Sequence, residues 1–338
     1  MLRFAAKRVL GSILVLLVLT ALVFILSRLV PNDPAVIYAG PKAPPEELER
    51  IRAELGFNRP LWEQYFVYLK DLFMGNWGTS LATKRPVLDE LLSRLPSTLE
   101  LLMAAMVVAF VGGITLGVWA TKKPGRIVDG LVRFLAIGGI SMPAFWLGLL
   151  LQLVFVGGLG ILPATGQFSR DLEYTSPTTA VTGFPLLDSL LTGNFVALND
   201  GLLHLILPTL TLAAYPLGLI ARMTRSSMLE VLNQDYIFTA KAYDLRQRSI
   251  HWRLALRNAL PPVLTVGGMA AAYTLTATFF VELVFNWPGI GQFASSSMLA
   301  VDYPAIMAIT LLGAVGYLIA NLAVDILQAN IDPRVALS

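Results

Sequence analysis

Six long apolar runs alternate with polar, proline-punctuated stretches along this chain. They cover residues 9–26, 96–121, 131–156, 204–222, 262–285 and 305–327. Each comes close to or exceeds the roughly 20 apolar residues a helix needs to cross a bilayer, so the pattern predicts an all-α polytopic membrane protein with six transmembrane helices. Residues 1–30 hold the N-terminus and span 1, and residues 31–95 form an external subdomain. The transmembrane core is 96–327, with an external loop at 157–203 and a cytoplasmic loop at 223–261, and 328–338 is a cytoplasmic tail. Within the external subdomain Trp62, Tyr65, Phe66, Leu69, Leu72 and Phe73 recur at helical spacing, as do Leu88, Leu91, Leu92 and Leu95. That period marks one face of a helix, and the aromatics read as the core of a small cap rather than as ligand contacts.

The polar stretch 229–262 interrupts the apolar pattern most sharply. From Arg222 to Arg257 it carries seven basic residues against three acidic ones, which places it on the cytosolic side. Trp252, Ala255, Leu256, Ala259 and Leu260 follow the period of one helical face, with Arg253 and Arg257 on another. A shorter helix precedes it, from Asp235 as N-cap to Tyr243, and Asp244 sits where the chain must turn. Two short helices pinned between spans make a rigid knob able to pass force from a soluble partner to the bundle. The alternative is a basic loop that only sets topology.

Composition narrows the function. Hydrophobic residues make up 56% and charged residues 14%, with mean hydropathy +0.67, too apolar for an ordinary soluble domain. Fifteen of the 25 basic residues fall on the cytosolic side of the predicted topology. The basic excess therefore reads as topology, and no basic patch with interleaved aromatics suggests nucleic acid. The run 9–26 is longer than a signal-peptide core, so span 1 is uncleaved. The absence of cysteine excludes disulfides and thiolate metal sites, and His204 and His251 are too few and too separated for a metal site. No phosphate-cradling G-x-x-x-x-G-K-[ST] run occurs, and no nucleophile has a histidine partner. Glu100, Glu282 and Asp325 are the intramembrane acidic groups, all near span ends, and Gln152 is the most central polar side chain. A proton-coupled carrier would place a carboxylate at mid-membrane between broken helices.

Several runs carry a family resemblance that covers nearly the whole chain apart from the loop 157–203. Asp235-Tyr236, Thr239-Ala240-Lys241-Ala242 and Ala255-Leu256-Arg257-Asn258-Ala259-Leu260 resemble the EAA loop of permease subunits in peptide/nickel-class ABC importers. Asp244 stands where that loop has glycine, and Phe238 where it has glutamate. Ser141-Met142-Pro143-Ala144-Phe145-Trp146 resembles the family's Ser-x-Pro-x-Phe-Trp run. Glu282, with Phe285-Asn286-Trp287-Pro288-Gly289-Ile290-Gly291, resembles its Glu-x-x-Phe-x-Trp-Pro-Gly-x-Gly signature, physically a turn at the outer mouth with Trp287 as an interface anchor. Pro31-Asn32-Asp33-Pro34, Arg59-Pro60-Leu61-Trp62 and Asp332-Pro333-Arg334 are similar to family segments at the same places.

The resemblance implies an inner (plasma) membrane permease that is not itself an enzyme and carries no cofactor, ATP and Mg residing on partner ATPases. The implied partners are a second homologous permease, two ATP-binding subunits, an extracytoplasmic substrate-binding protein and membrane lipid. Coupling falls to Asp235, Thr239, Ala240, Lys241, Ala242, Asp244 and Arg248, and the path and outer gate to Ser141, Pro143, Glu282 and Trp287. Di- or oligopeptides are the expected substrates, with oligosaccharides, glutathione or nickel complexes as alternatives within the family. An ion-gradient carrier and a membrane scaffold are the readings outside it.

Overall fold

The computed structural model describes residues 2–29, 35–36, 43–54 and 56–331, leaving aside the side chains of residues 2–9, 29, 173, 325 and 327–331. The segments at 31–34 and 332–334 and the Asp325 side chain therefore lie outside the described residues. In order, the helices are α1 (Leu2–Leu29), α2 (Pro45–Glu54), α3 (Leu61–Phe73), α4 (Val87–Lys122), α5 (Ile127–Ser141), α6 (Ala144–Gln152), α7 (Leu172–Thr175), α8 (Pro185–Leu191), α9 (Phe195–Val231), α10 (Asp235–Ala242), α11 (Gln247–Phe285), α12 (Ile290–Leu299) and α13 (Tyr303–Ile331). A π-helical turn, Leu153–Gly158, extends α6, and another, Ile250–Ala255, lies near the start of α11. Among the described residues there is no strand, only one bridge between Thr79 and Pro86.

Among the described residues five helices are long and apolar enough to span a membrane, and the pair α5 and α6 makes a sixth if taken as one broken span. The predicted third span is thus bent, by 113°. Pro143 is the cause: its ring forces Met142 out of the helical region, to φ −87° and ψ 130°, and α5 must end there. The predicted spans four and five are longer as helices than as apolar runs. α9 reaches back to Phe195 and on to Val231, and α11 runs unbroken through Pro261 and Pro262 from the polar stretch. Thr211, after Pro208 of α9, and Thr265, after Pro262 of α11, bond back to the carbonyls of Leu207 and Pro261.

The chain divides into two compact units, one built on Leu95–Gln292 and the other on Ala6–Arg94 with Phe293–Val315. In the first, Leu101, Ala105, Leu207, Leu212, Ile220 and Val263 of α4, α9 and α11 form the main core. α5 lies against α9 almost backbone to backbone. A Cβ on Gly139 would come 2.5 Å from the Ala214 carbonyl, and one on Gly218 the same distance from that of Ala136, so small residues set the approach. The loop 157–203 is tied down by carboxylates. Glu100 accepts from Leu186 N and the Gln167 amide, Asp200 from Ser169, and Asp188 from the backbone of Val181, Thr182 and Gly183 and the Thr182 hydroxyl. Burial alone would raise the pKa of Asp188, but those donors outweigh it and hold the carboxyl below the usual range. Gln152 donates to the Ala164 carbonyl at 2.8 Å and more weakly to that of Val284.

In the second unit α3 packs on α1 through Tyr65, whose hydroxyl lies 2.9 Å from Thr20 Oγ1, and through Phe24 stacked on Tyr68. The packed face of α3 is not the predicted aromatic core. Trp62, Phe66 and Phe73 are 63%, 64% and 88% exposed, and Gln64 with the two tyrosines fills the packed face. An apolar face turned outward costs little beside a membrane helix, because lipid is an alternative to a protein core. The segment 78–87 closes as a hairpin. Ser80 Oγ and Ala82 N both donate to buried Asp302 at the head of α13.

Just before it, Val301 takes φ +52°. It is the residue after the C-cap of α12 in a Schellman motif, closed by Asp302 N to Ser297 O and Val301 N to Met298 O. The left-handed region is costly for a β-branched residue. Val301→Gly is therefore expected to stabilise the protein by about 0.5–1 kcal/mol, the strain relieved less the entropy glycine adds to the unfolded chain. A raised melting temperature of the purified protein checks this.

Candidate functional site

Two places gather most of the residues the sequence singled out, and Glu282 and Trp287 lie apart from both. The first is the basic hairpin α10–α11. α10 seats two residues, Ile237 at 0% and Ala240 at 7% exposure, into a cluster with Val118 of α4, Met228 of α9, and Ile250, Ala255 and Ala259 of α11. Asp235, Thr239, Lys241, Ala242, Asp244 and Arg248 are exposed, and so are Tyr236, Phe238, Tyr243 and Leu245. Ala240 is thus a seat for the helix, while its exposed neighbours form the outer face. Lys241 Nζ lies 5.1 Å from the Phe238 ring centre, and Asn258 donates to the Tyr236 hydroxyl at 2.7 Å, linking α10 to α11.

Asp235 is the first residue of α10 rather than its N-cap. Gln234 takes the cap position with no side-chain hydrogen bond. Asp235 still suits that end, since a carboxylate in the first turn opposes the helix dipole. Asp244 makes the turn at φ +53°, with Leu245 N bonded to Ala240 O and Asp244 N to Lys241 O, again a Schellman closure. Aspartate tolerates this region better than most residues, yet glycine does so without strain. Asp244→Gly should therefore stabilise the hairpin by a few tenths to about 1 kcal/mol, and slower amide exchange in α10 is the measurement. On α11 the buried face holds Ala255 and Ala259, and Arg253 and Arg257 are exposed, as the period predicts.

Between α5 and α9 is an ion pair that sequence reasoning missed. Asp129, 1% exposed near the start of α5, receives Arg225 in a two-pronged bond of 2.5 and 2.8 Å and Gly125 N at 2.9 Å. The residues are 96 apart in sequence, beyond any local spacing.

The second place is the break between α5 and α6. Ser141 and Pro143 line a cavity of about 400 Å³ with Thr211, Tyr215, Tyr273 and Phe280, and no ionisable acid or base among its lining residues beyond the two tyrosines. The Tyr215 and Tyr273 rings lie 4.7 Å apart. Nothing in the run 131–156 pointed to these tyrosines, which come from α9 and α11.

Glu282 and Trp287 are not on this cavity; both are fully buried. Trp287 is no interface anchor, because its indole N–H donates to the Ser97 carbonyl inside the protein at 2.9 Å. Glu282 accepts from Thr98 Oγ1 at 2.7 Å, Gly291 N at 2.6 Å and Gln292 N at 3.3 Å. Asn286, at φ +48°, turns the chain between α11 and α12. A Cβ on Gly291 would lie 2.6 Å from the Phe279 Cα, so the glycine lets this turn close over the carboxylate. The signature is a brace that fastens the end of α11 to α4.

Comparison with known proteins agrees with this architecture. Residues 113–337 match the family model described as binding-protein-dependent transport system inner membrane component, and residues 1–102 match that of its N-terminal region. The chain is 45% identical over 329 residues to the probable D,D-dipeptide transport system permease protein DdpB of Escherichia coli (strain K12), covering 97% of this chain and 96% of that protein. It is 40% identical to the dipeptide transport system permease protein DppB of Alkalihalophilus pseudofirmus, over 99% of each chain. It is 36% identical to the glutathione transport system permease protein GsiC of Escherichia coli (strain K12), again over 99% of each. The chain therefore belongs to the family of binding-protein-dependent transport system inner membrane components, the multi-span permease subunits of ABC importers, which are transport components and not enzymes.

Proposed function

We propose that this chain forms half of the translocation path of an importer for di- or oligopeptides and receives the ATP-driven stroke through the hairpin α10–α11. The observation that carries this is the hairpin itself: a helix fixed by Ile237 and Ala240 that offers Tyr236, Phe238, Tyr243 and Leu245, ringed by basic residues, to a partner. Exposed aromatics on a rigid seat are what an interface anchor requires. The partners in this reading are a second homologous permease, two ATP-binding subunits that hold ATP and Mg, and an external binding protein. Both termini lie on the cytosolic side with the basic hairpin. Asp235, Thr239, Lys241, Ala242, Asp244 and Arg248 belong to the contact face, with Ala240 beneath it. Ser141 and Pro143 line the path. Glu282 and Trp287 support the outer gate by bracing α11 on α4.

The peptide assignment is supported by the relatives at 45% and 40% identity, both named for dipeptide transport. The uncharged cavity suits it as well, since a path without fixed charges passes zwitterions of varied side chain without trapping them. The lining has no imidazole, thiolate or carboxylate to ligate nickel. The test is uptake in cells that depend on this subunit. Labelled dipeptide should enter and be displaced by other dipeptides, and preferential entry of glutathione would move the assignment to that substrate. Uptake by the chain alone in liposomes, driven by an ion gradient, would replace the ABC mechanism by a carrier.

A further inference from the structure

α3 has three faces where a helix packed on the surface of a soluble domain has two. Gln64, Tyr65 and Tyr68 make the packed face. At about 100° per residue, Trp62, Phe66, Leu69 and Phe73 fall within about 60° of one another on the side next to it. Of these Leu69 is half-buried and the three aromatics are exposed. Glu63, Lys70 and Asp71 follow on the third side, with Val67 among them. An aromatic stripe between a packed face and a polar one needs an apolar occupant of its own.

The contacts of the packed face fix the depth at which α3 lies. Its neighbour α1 carries a candidate membrane span, Leu10–Arg28. Gln64 Oε1 accepts from Arg28 Nε at 3.1 Å, and the Tyr68 and Phe24 rings stack with centres 5.8 Å apart. The Tyr65 hydroxyl lies 2.9 Å from Thr20 Oγ1 and donates to the Leu17 carbonyl at 3.0 Å. With a rise of about 1.5 Å per residue, Phe24 and Thr20 stand about 6 Å and 12 Å inside the end of the span. α3 therefore runs beside the span rather than above it, close to the depth of about 5–10 Å at which in-plane amphipathic helices settle. Polar groups so placed must be satisfied by protein, and Gln64 accordingly donates to the carbonyls of Phe57 and Arg59.

We propose that α3 is an in-plane membrane helix: its Trp62–Phe66–Phe73 stripe sits in the lipid of the leaflet at the Arg28 end of α1, and Glu63 and Lys70 stay at the headgroups. The depth decides for lipid over a soluble partner, since a binding protein does not reach below the headgroups. The span itself agrees, because Leu14, Val18, Leu22 and Ile25 leave α1 with an exposed apolar flank at the same level and below. Tryptophan near the end of the span suits the boundary, where its ring is half in lipid and half in the headgroups. Part of the segment 31–95 is thus sunk in the membrane instead of standing clear of it. With the N-terminus cytosolic, as in the proposed topology, the leaflet is the outer one; the placement itself does not rest on that topology.

The test uses the intact transporter complex in vesicles of phosphatidylethanolamine and phosphatidylglycerol, with reactive cysteines removed from the partner subunits. Trp62→Cys, Phe66→Cys and Phe73→Cys each receive a nitroxide label, read by collision with oxygen, which concentrates in the bilayer, and with a neutral nickel chelate, which stays in water. All three labels should approach the oxygen collision rate of a label at Val18→Cys on α1. Their nickel collision rates should be several-fold below that of a label at Lys70→Cys, and added binding protein should change none of them. Nickel collision as frequent as at Lys70→Cys would put the stripe in water and overturn the proposal; shielding by the binding protein would then assign the stripe to that partner. Low collision with both reagents would mean that a protein chain covers the stripe, and would overturn it equally. The positions are read separately in complexes of unaltered melting temperature, so a variant that fails to assemble leaves the others to decide. No readout depends on ATP or substrate, so the coupling and peptide assignments stand or fall separately.

Discussion

Glu282→Ala should leave little folded protein in the membrane. The carboxylate is fully buried and accepts from Thr98, Gly291 and Gln292. Removing it strands two backbone N–H groups and a hydroxyl and opens a cavity beneath the turn. With each of the three stranded groups costing about 1–3 kcal/mol, a loss of about 3–9 kcal/mol is expected, against a typical total stability of about 5–15 kcal/mol. Glu282→Gln keeps the shape and can leave its oxygen on Gly291 N and Gln292 N, but its amide NH2 then meets the Thr98 hydroxyl that had donated to the carboxylate, so it should fall between. Yield and melting temperature of the purified complex check both variants. If the residue instead acted only by lining an open path, both variants would fold normally and fail in transport alone.

The second large effect is expected at Ala240. Its side chain points into the cluster formed by Val118, Met228, Ile237 and Ile250, and a tryptophan there cannot be accommodated without lifting α10 from its seat. Overpacking of this kind costs about 1–3 kcal/mol, which a helix of eight residues can relieve by moving as a unit. The bundle should therefore survive while the outer face of α10 is displaced. Ala240→Trp is expected to assemble at near-normal yield, bind the ATP-binding subunits weakly, and lose most transport-linked ATP hydrolysis. Thr239→Ala, which removes only an exposed hydroxyl bonded to the Asp235 carbonyl, should keep most of both. Measuring ATPase stimulation by loaded binding protein in the two variants separates displacement of the helix from loss of a surface group. A scaffold with no motion to transmit would tolerate Ala240→Trp.

Much of this architecture was legible in the sequence, for a physical reason. A bilayer demands long apolar helices, so run length alone located the spans. The helical period in 252–260 gave the buried face of α11 correctly, and Asp244 was recognisable as a turn because few residues tolerate left-handed backbone. What escaped was geometry that run length does not encode. Pro143 marked a kink, but its angle of 113° depends on packing. Apolar windows stopped short of the true ends of α9 and α11, whose extensions are amphipathic. Trp287 has the chemistry of an interface anchor and of a buried donor alike, and only the nearby Ser97 carbonyl decides between them. Arg225 and Asp129 find each other across 96 residues, a pairing no local spacing can announce. The stripe on α3 showed a helix with two faces but not which one is packed, since lipid can stand in for a core.

The central claim is that α10 is the surface met by the ATP-binding subunits, and site-directed photo-cross-linking tests it most directly. The chain has no native cysteine, so a thiol-reactive benzophenone reports one position at a time. Thr239→Cys and Asp235→Cys should each yield an adduct with an ATP-binding subunit, strengthened or weakened by nucleotide, while Phe73→Cys, exposed on α3, should yield none. Adducts from Phe73→Cys, or none from either α10 position in a complex that still transports, would contradict the account.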